Sequence, residues 1–120
     1  MTSASKLERA RYVLVYYFYE GILKEEELKK IFMNQLNRLF GVRGSLEMGL
    51  FISWIHPTEP MVILRTSHKS IFDLLCTSFF ITHNNSKKLS ILPLRTGGSI
   101  KKMQELAQSA KWETLKELKI

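Results

Sequence analysis

The chain has 120 residues, 45% of them hydrophobic, and a formal net charge of +7. That length is enough for one domain with a real core, and the composition excludes a disordered or collagen-like polymer. The basic excess points to a polyanionic partner such as nucleic acid, anionic lipid or an acidic protein, while the single cysteine, Cys76, excludes an intramolecular disulfide and a cysteine-based zinc site. No apolar run approaches the roughly 20 residues of a membrane span, and the start of the chain has no run of signal-peptide type. The expectation is a soluble intracellular protein without a membrane partner.

Residues 1–10 are polar and read as an N-terminal arm, with one domain over residues 11–120. Residues 12–19, YVLVYYFY, form a β-rich run that is apolar on both faces, with Tyr12, Leu14, Tyr16 and Phe18 on one and Val13, Val15, Tyr17 and Tyr19 on the other. That pattern predicts a central strand covered on both sides, or one with a face left for a partner. Residues 24–40 predict a helix with Glu25, Glu26 and Glu27 in its first turn. Its apolar stripe is Leu28, Ile31, Phe32, Leu36, Leu39 and Phe40, and Gly41 is its stop.

Residues 41–45 then read as a glycine-framed loop. Residues 46–56 alternate, with Leu46, Met48, Leu50, Ile52 and Trp54 on one face, and residues 61–66 return as the second strand of a hairpin. The next helix is capped by Ser67 or Ser70 and buries Ile71, Leu74, Leu75, Ser78 and Phe79. Residues 84–86 are a turn, residues 88–96 the last strand, and residues 100 to about 118 a last helix with Ile100, Met103, Ala107 and Ala110 on one side. The order β-α-β-β-α-β-α predicts an α+β fold, a ferredoxin-like (RRM-like) sandwich. Its four-stranded antiparallel sheet is backed by two helices, and the C-terminal helix covers an edge or an end.

The stretch with the most chemical content is Leu94-Arg95-Thr96-Gly97-Gly98-Ser99-Ile100-Lys101-Lys102. It reads as a strand end, a two-glycine hinge and a helix start capped by Ser99. The macrodipole makes a helix N-terminus partly positive, so lysines there are disfavoured unless an external anion, such as phosphate, sits against it. The other reading is a solvated basic turn that costs a few tenths of a kcal/mol.

His56, His68 and His83 lack metal-ligand spacing and read as surface or capping residues, so no metal site is expected. Cys76 reads as a buried structural thiol. GxxxxGK[ST], GxSxG and a paired-carboxylate arrangement are absent. The third strand, Met61-Val62-Ile63-Leu64-Arg65, lacks the aromatics of an ordinary RNA-recognition module. Tyr17, Tyr19 and Trp54 read as core or protein-interface residues rather than base platforms.

With these residues in view, the chain resembles the small α+β protein subunit of archaeal and eukaryotic ribonuclease P, the family of Pop-five and its relative Rpp-fourteen. The likeness rests on Arg11-Tyr12-Val13-Leu14, on Leu39-Phe40-Gly41 with Gly44, on Ile63-Leu64-Arg65 and on Phe80-Ile81-Thr82. Above all it rests on Thr96-Gly97-Gly98-Ser99-Ile100-Lys101-Lys102. Thr96 stands where the family usually has valine and Ser99 where it has threonine.

The resemblance implies a non-catalytic, RNA-binding subunit. The RNA subunit, with bound Mg²⁺, would remove the 5′ leader from precursor tRNA. This chain, holding no cofactor of its own, would steady that RNA and pair with other subunits, notably one of TIM-barrel type. In eukaryotes the family's subunit is shared with ribonuclease MRP, which acts in rRNA processing. The Gly-Gly form of the hinge and the Phe80-Ile81-Thr82 run favour a nuclear or nucleolar eukaryotic protein over an archaeal cytoplasmic one.

On this reading Arg95, Gly97, Gly98, Ser99, Lys101 and Lys102 meet the phosphate backbone, with Arg11, Arg43 and Arg65 as secondary candidates. Arg65 has an equal structural reading. The competing class is a ferredoxin-like protein-interaction module without direct RNA binding. An independent small-molecule enzyme ranks third.

Overall fold

The structure, a computed structural model, describes residues 10–109. The expected arm over residues 1–10, except Ala10, lies outside the described residues, as do Ala110 and the rest of the expected last helix. Among the described residues, five strands and three α-helices follow one another. They are β1 (Ala10–Tyr19), α1 (Glu25–Glu47), β2 (Phe51–Ile55), β3 (Met61–Ser67), α2 (Ile71–Phe80), β4 (His83–Asn84), β5 (Lys87–Gly97) and α3 (Ile100–Ser109), with a 3₁₀ turn (His68–Ser70) before α2.

The sheet runs β2-β3-β1-β5-β4, with every neighbouring pair antiparallel. The sequence predicts four strands, and the fifth is β4. Its two residues pair with Lys87 and Lys88 across a turn in which Asn85 and Ser86 have φ of 49° and 72°. Two consecutive residues at positive φ make the kind of tight turn that matches the twist of a hairpin.

β1 is central and buried on both faces. Val13, Val15 and Tyr17 pack with Leu28, Phe32 and Leu36 of α1 and Leu74 of α2. Leu14 and Tyr16 pack on the opposite face with Met61, Ile63, and Met103 and Ala107 of α3. Each large aliphatic side chain buried this way contributes about 1.5–3 kcal/mol. The last helix therefore covers a sheet face, not an edge or an end. The reason is local: β5 ends beside β1, and the turn after Gly97 sends α3 back across β1, β3 and β5.

α1 starts as predicted, with Lys24 N–H donating to Glu27 Oε1 at 3.1 Å and three glutamates in the first turn. Gly41 breaks it, at φ 77° and ψ 168°, a conformation that L side chains rarely adopt. The expected loop beyond it is not a loop. Residues 42–47 are helical again, and Ser45 is buried there with its hydroxyl bonded to Asn37 Oδ1 and to Val42 C=O. Leu39 and Phe40, in the turn before the break, are 38% and 37% exposed, so the buried stripe ends at Leu36.

β2 is shorter than predicted and does not present one uniform face. Ser53 is an extra residue between the pairs Ile52–Leu64 and Trp54–Ile63. A bulge of this kind changes which side the following residue faces. Ile52 packs in the first layer and Trp54 against the second. In α2, Ile71 and Leu75 are partly buried and Leu74 and Ser78 fully so, but Phe79 is 69% exposed. Thr77 takes the interior place instead. Its hydroxyl donates to Asp73 C=O at 2.8 Å and that of Ser78 to Leu74 C=O at 3.1 Å, which satisfies both inside the apolar layer.

Candidate nucleic-acid interface

The antiparallel register gathers most of the predicted basic residues at one end of the sheet. Arg11 stands opposite Thr66, Tyr12 is flanked by Arg65 on one side and Gly97 on the other, and Leu14 is opposite Arg95. Arg65 and Gly97 are thus two strand spacings apart, about 10 Å. Cross-strand neighbours share a face, so Arg65 lies with Tyr12 on the α3 side.

The glycine hinge serves close approach rather than an unusual dihedral. Neither Gly97 nor Gly98 has positive φ. A Cβ on Gly98 would stand 2.5 Å from Nη1 of Arg11, and one on Gly97 would stand 2.9 Å from Cε of Met103. The first glycine leaves room for the end of the Met103 side chain; the second lets the Arg11 guanidinium lie on the backbone. Arg11 Nε also donates to Nδ1 of His68 at 3.0 Å, which fixes the direction of the guanidinium plane.

Ser99 caps α3 as the sequence predicts. Its Oγ accepts the Lys102 N–H at 3.3 Å and its carbonyl accepts that of Met103 at 3.2 Å. The first turn holds no acidic residue, and Lys101 and Lys102 are exposed. Among the described residues, Arg65, Arg95, Lys101 and Lys102 make no ion pair. The arrangement is a cationic rim around a helix N-terminus, suited to successive phosphates.

Not every predicted residue joins it. Arg43 lies in the second segment of α1, 94% exposed, with Glu47 Oε2 3.9 Å from its Nε. Tyr17, read as a core or interface residue, lies in the core and offers a partner next to no surface at 7% exposure. Tyr19 is half-buried, with its OH accepting from Nδ2 of Asn84 at 3.2 Å and Nζ of Lys87 lying 5.8 Å from its ring centre. Trp54 is half-buried too, edge-on to the His56 ring at 5.5 Å. His56 is a turn cap, its Nδ1 accepting the N–H groups of Thr58 and Glu59. Cys76 is half-buried.

Burial raises the Tyr17 hydroxyl above its usual pKa of 10.0, and a backbone hydrogen bond with Leu23 pulls the other way by less. A raised folded pKa means stability that is complete below the unfolded value and is lost as pH climbs toward the folded one. Unfolding midpoints measured from pH 9 upward should therefore fall, and Tyr17→Phe should flatten that fall. An equally steep fall in the variant would assign the alkaline loss to other groups.

The sequence assigns no functional role to His68, read as a surface or capping residue, or to Lys69 and Phe72. With Arg11, Ile71, Thr96 and Gly97 they line a groove of about 390 Å³ beside the hinge. The lining comes from three separate stretches of the sequence; the motifs mark Arg11, Thr96 and Gly97, and nothing in the sequence ties His68, Lys69 or Phe72 to them.

The family model of the Rpp14/Pop5 family matches residues 11–108. No curated protein sequence matches the chain significantly. Among solved structures, a chain of the cryo-EM structure of yeast ribonuclease MRP superimposes with a TM-score of 0.62 and 14% sequence identity, over 83% of this chain and 92% of that one. At that identity the structural likeness speaks to fold alone, whereas the family model spans the sheet, all three helices and the hinge. The chain belongs to the Rpp14/Pop5 family.

Proposed function

We propose that this chain is a non-catalytic protein subunit of ribonuclease P that binds the catalytic RNA by its backbone, and that it serves ribonuclease MRP as well. Family membership and the likeness to a chain of the yeast ribonuclease MRP assembly support the subunit role. The observation that carries the RNA contact is the hinge: Arg11 lies on Gly98 beside a serine-capped helix start that displays two lysines. Contacts of this kind are sequence-blind and strongly salt-dependent.

On this reading the strand order is a ferredoxin-like core with β4 added at its edge. Mg²⁺ belongs to the RNA, the substrate of the whole particle is precursor tRNA, and a TIM-barrel-type subunit is among the protein neighbours. A eukaryotic source would place the particle in the nucleus or nucleolus.

A second reading is an interaction module that touches only protein. The observation in its favour is on α2, where Phe79 and Phe80 are 69% and 58% exposed. The two readings part in one experiment: tag the chain, purify it from its own cells at moderate salt, and sequence the RNA that accompanies it. One enriched structured RNA, with precursor-tRNA cleavage in the same fraction, is the expected result. Protein partners without enriched RNA would establish the interaction module instead.

A further inference from the structure

We propose that the groove beside the hinge seats a single unstacked base of RNA, stacked on Phe72, with the adjoining phosphate at Arg11. This rests on the RNA-binding reading of the hinge and adds the conformation of the RNA recognised: a splayed, single-stranded nucleotide.

Three observations carry it. Phe72 is the second residue of α2 and is 73% exposed, yet it forms one wall of the groove rather than standing alone on the surface. Ile71 supplies an apolar neighbour, while Thr96 and Gly97 of β5 form the other side. At about 390 Å³ the groove falls within the range of small-ligand sites, roughly 300–1,000 Å³. The cation is oriented rather than loose. Arg11 is held at Nε by His68, and its Nη groups make no hydrogen bond among the described residues. An aromatic face beside a fixed guanidinium is the pairing that single-stranded RNA uses, with the base on the ring and the phosphate on the cation. A duplex keeps its bases stacked on each other and offers no free face to Phe72.

The test uses the full chain with two probes, a short fluorescein-labelled oligouridylate and a short RNA duplex, read by anisotropy. Phe72→Ala is expected to weaken oligouridylate binding about 10-fold, with duplex binding unchanged and the salt dependence of both preserved. Phe72→Trp is expected to keep the parent affinity, and oligouridylate should quench the emission that this indole adds to that of the two native tryptophans, measured against the parent chain. If Phe72→Ala binds both probes like the parent chain, the base seat is wrong while the backbone contact stands. If the parent chain binds neither probe, both the base seat and the RNA-binding reading fall.

Discussion

The Lys101→Glu/Lys102→Glu variant is expected to fold slightly more stably than the parent chain and to bind RNA about 100-fold more weakly at low salt. The two effects have opposite signs because they come from opposite partners. In the protein alone, two lysines face the positive end of α3, and glutamates there complement it by about 0.3–1 kcal/mol each. In the complex, the same lysines neutralise phosphates and release counterions. Each lost contact lowers the slope of log affinity against log salt by about 0.7–0.9.

A variant that is stable and weak cannot be explained by unfolding. The net charge falls from +7 to +3, so the matching control is Lys29→Glu/Lys30→Glu on α1. It makes the same change on exposed residues of another element. Equal weakening by both pairs would mean that RNA responds to overall charge, and the hinge would lose its special place. Parent-like binding by the Lys101/Lys102 variant would remove the site altogether.

What the sequence makes legible here is what is periodic. The double apolar face of β1, the α1 stripe from Leu28 to Leu36 and the capped start at Ser99 each reside in a few consecutive residues, and each is found in the structure. What it hides are single-residue events. Ser53, one extra residue in β2, sends Trp54 to the other side of the sheet. Gly41 interrupts α1, but Ser45, bonding back to Val42, lets a helix resume after it. Phe79 has helical spacing with Ile71 and Leu75 and is nonetheless outside, because Thr77 and Ser78 hide their hydroxyls on carbonyls one turn back.

The candidate site divides the same way. Gly97, Gly98, Ser99, Lys101 and Lys102 are contiguous and readable as a motif. The Arg11–His68 bond spans 57 residues, and the groove that adds Phe72 exists only where β1, β5 and α2 converge. Glycine in the hinge predicts a sharp turn by its usual dihedral freedom. The structure uses its missing Cβ instead, which no pattern of neighbouring residues could distinguish.

The hinge holds its shape because α3 is anchored on the sheet, and Ala107→Glu tests that dependence. Ala107 is fully buried against the second layer with Met103, Leu14, Tyr16 and Ile63. A glutamate there would bury a carboxylate in an apolar layer at a cost of about 2 kcal/mol or more, and its bulk would push the helix off the strands. The expected protein keeps the α1–α2 layer, which shares no buried side chain with α3. It shows raised hydrogen exchange along α3 and binds RNA at least about 10-fold more weakly. Lys101, Lys102 and Arg11 are all still present in it, so the loss measures preorganisation: a loose helix must be ordered again on binding. Parent-like RNA affinity alongside rapid exchange in α3 would show that the lysines act as free charges. The Arg11–Gly98 contact would then be packing without a role in recognition.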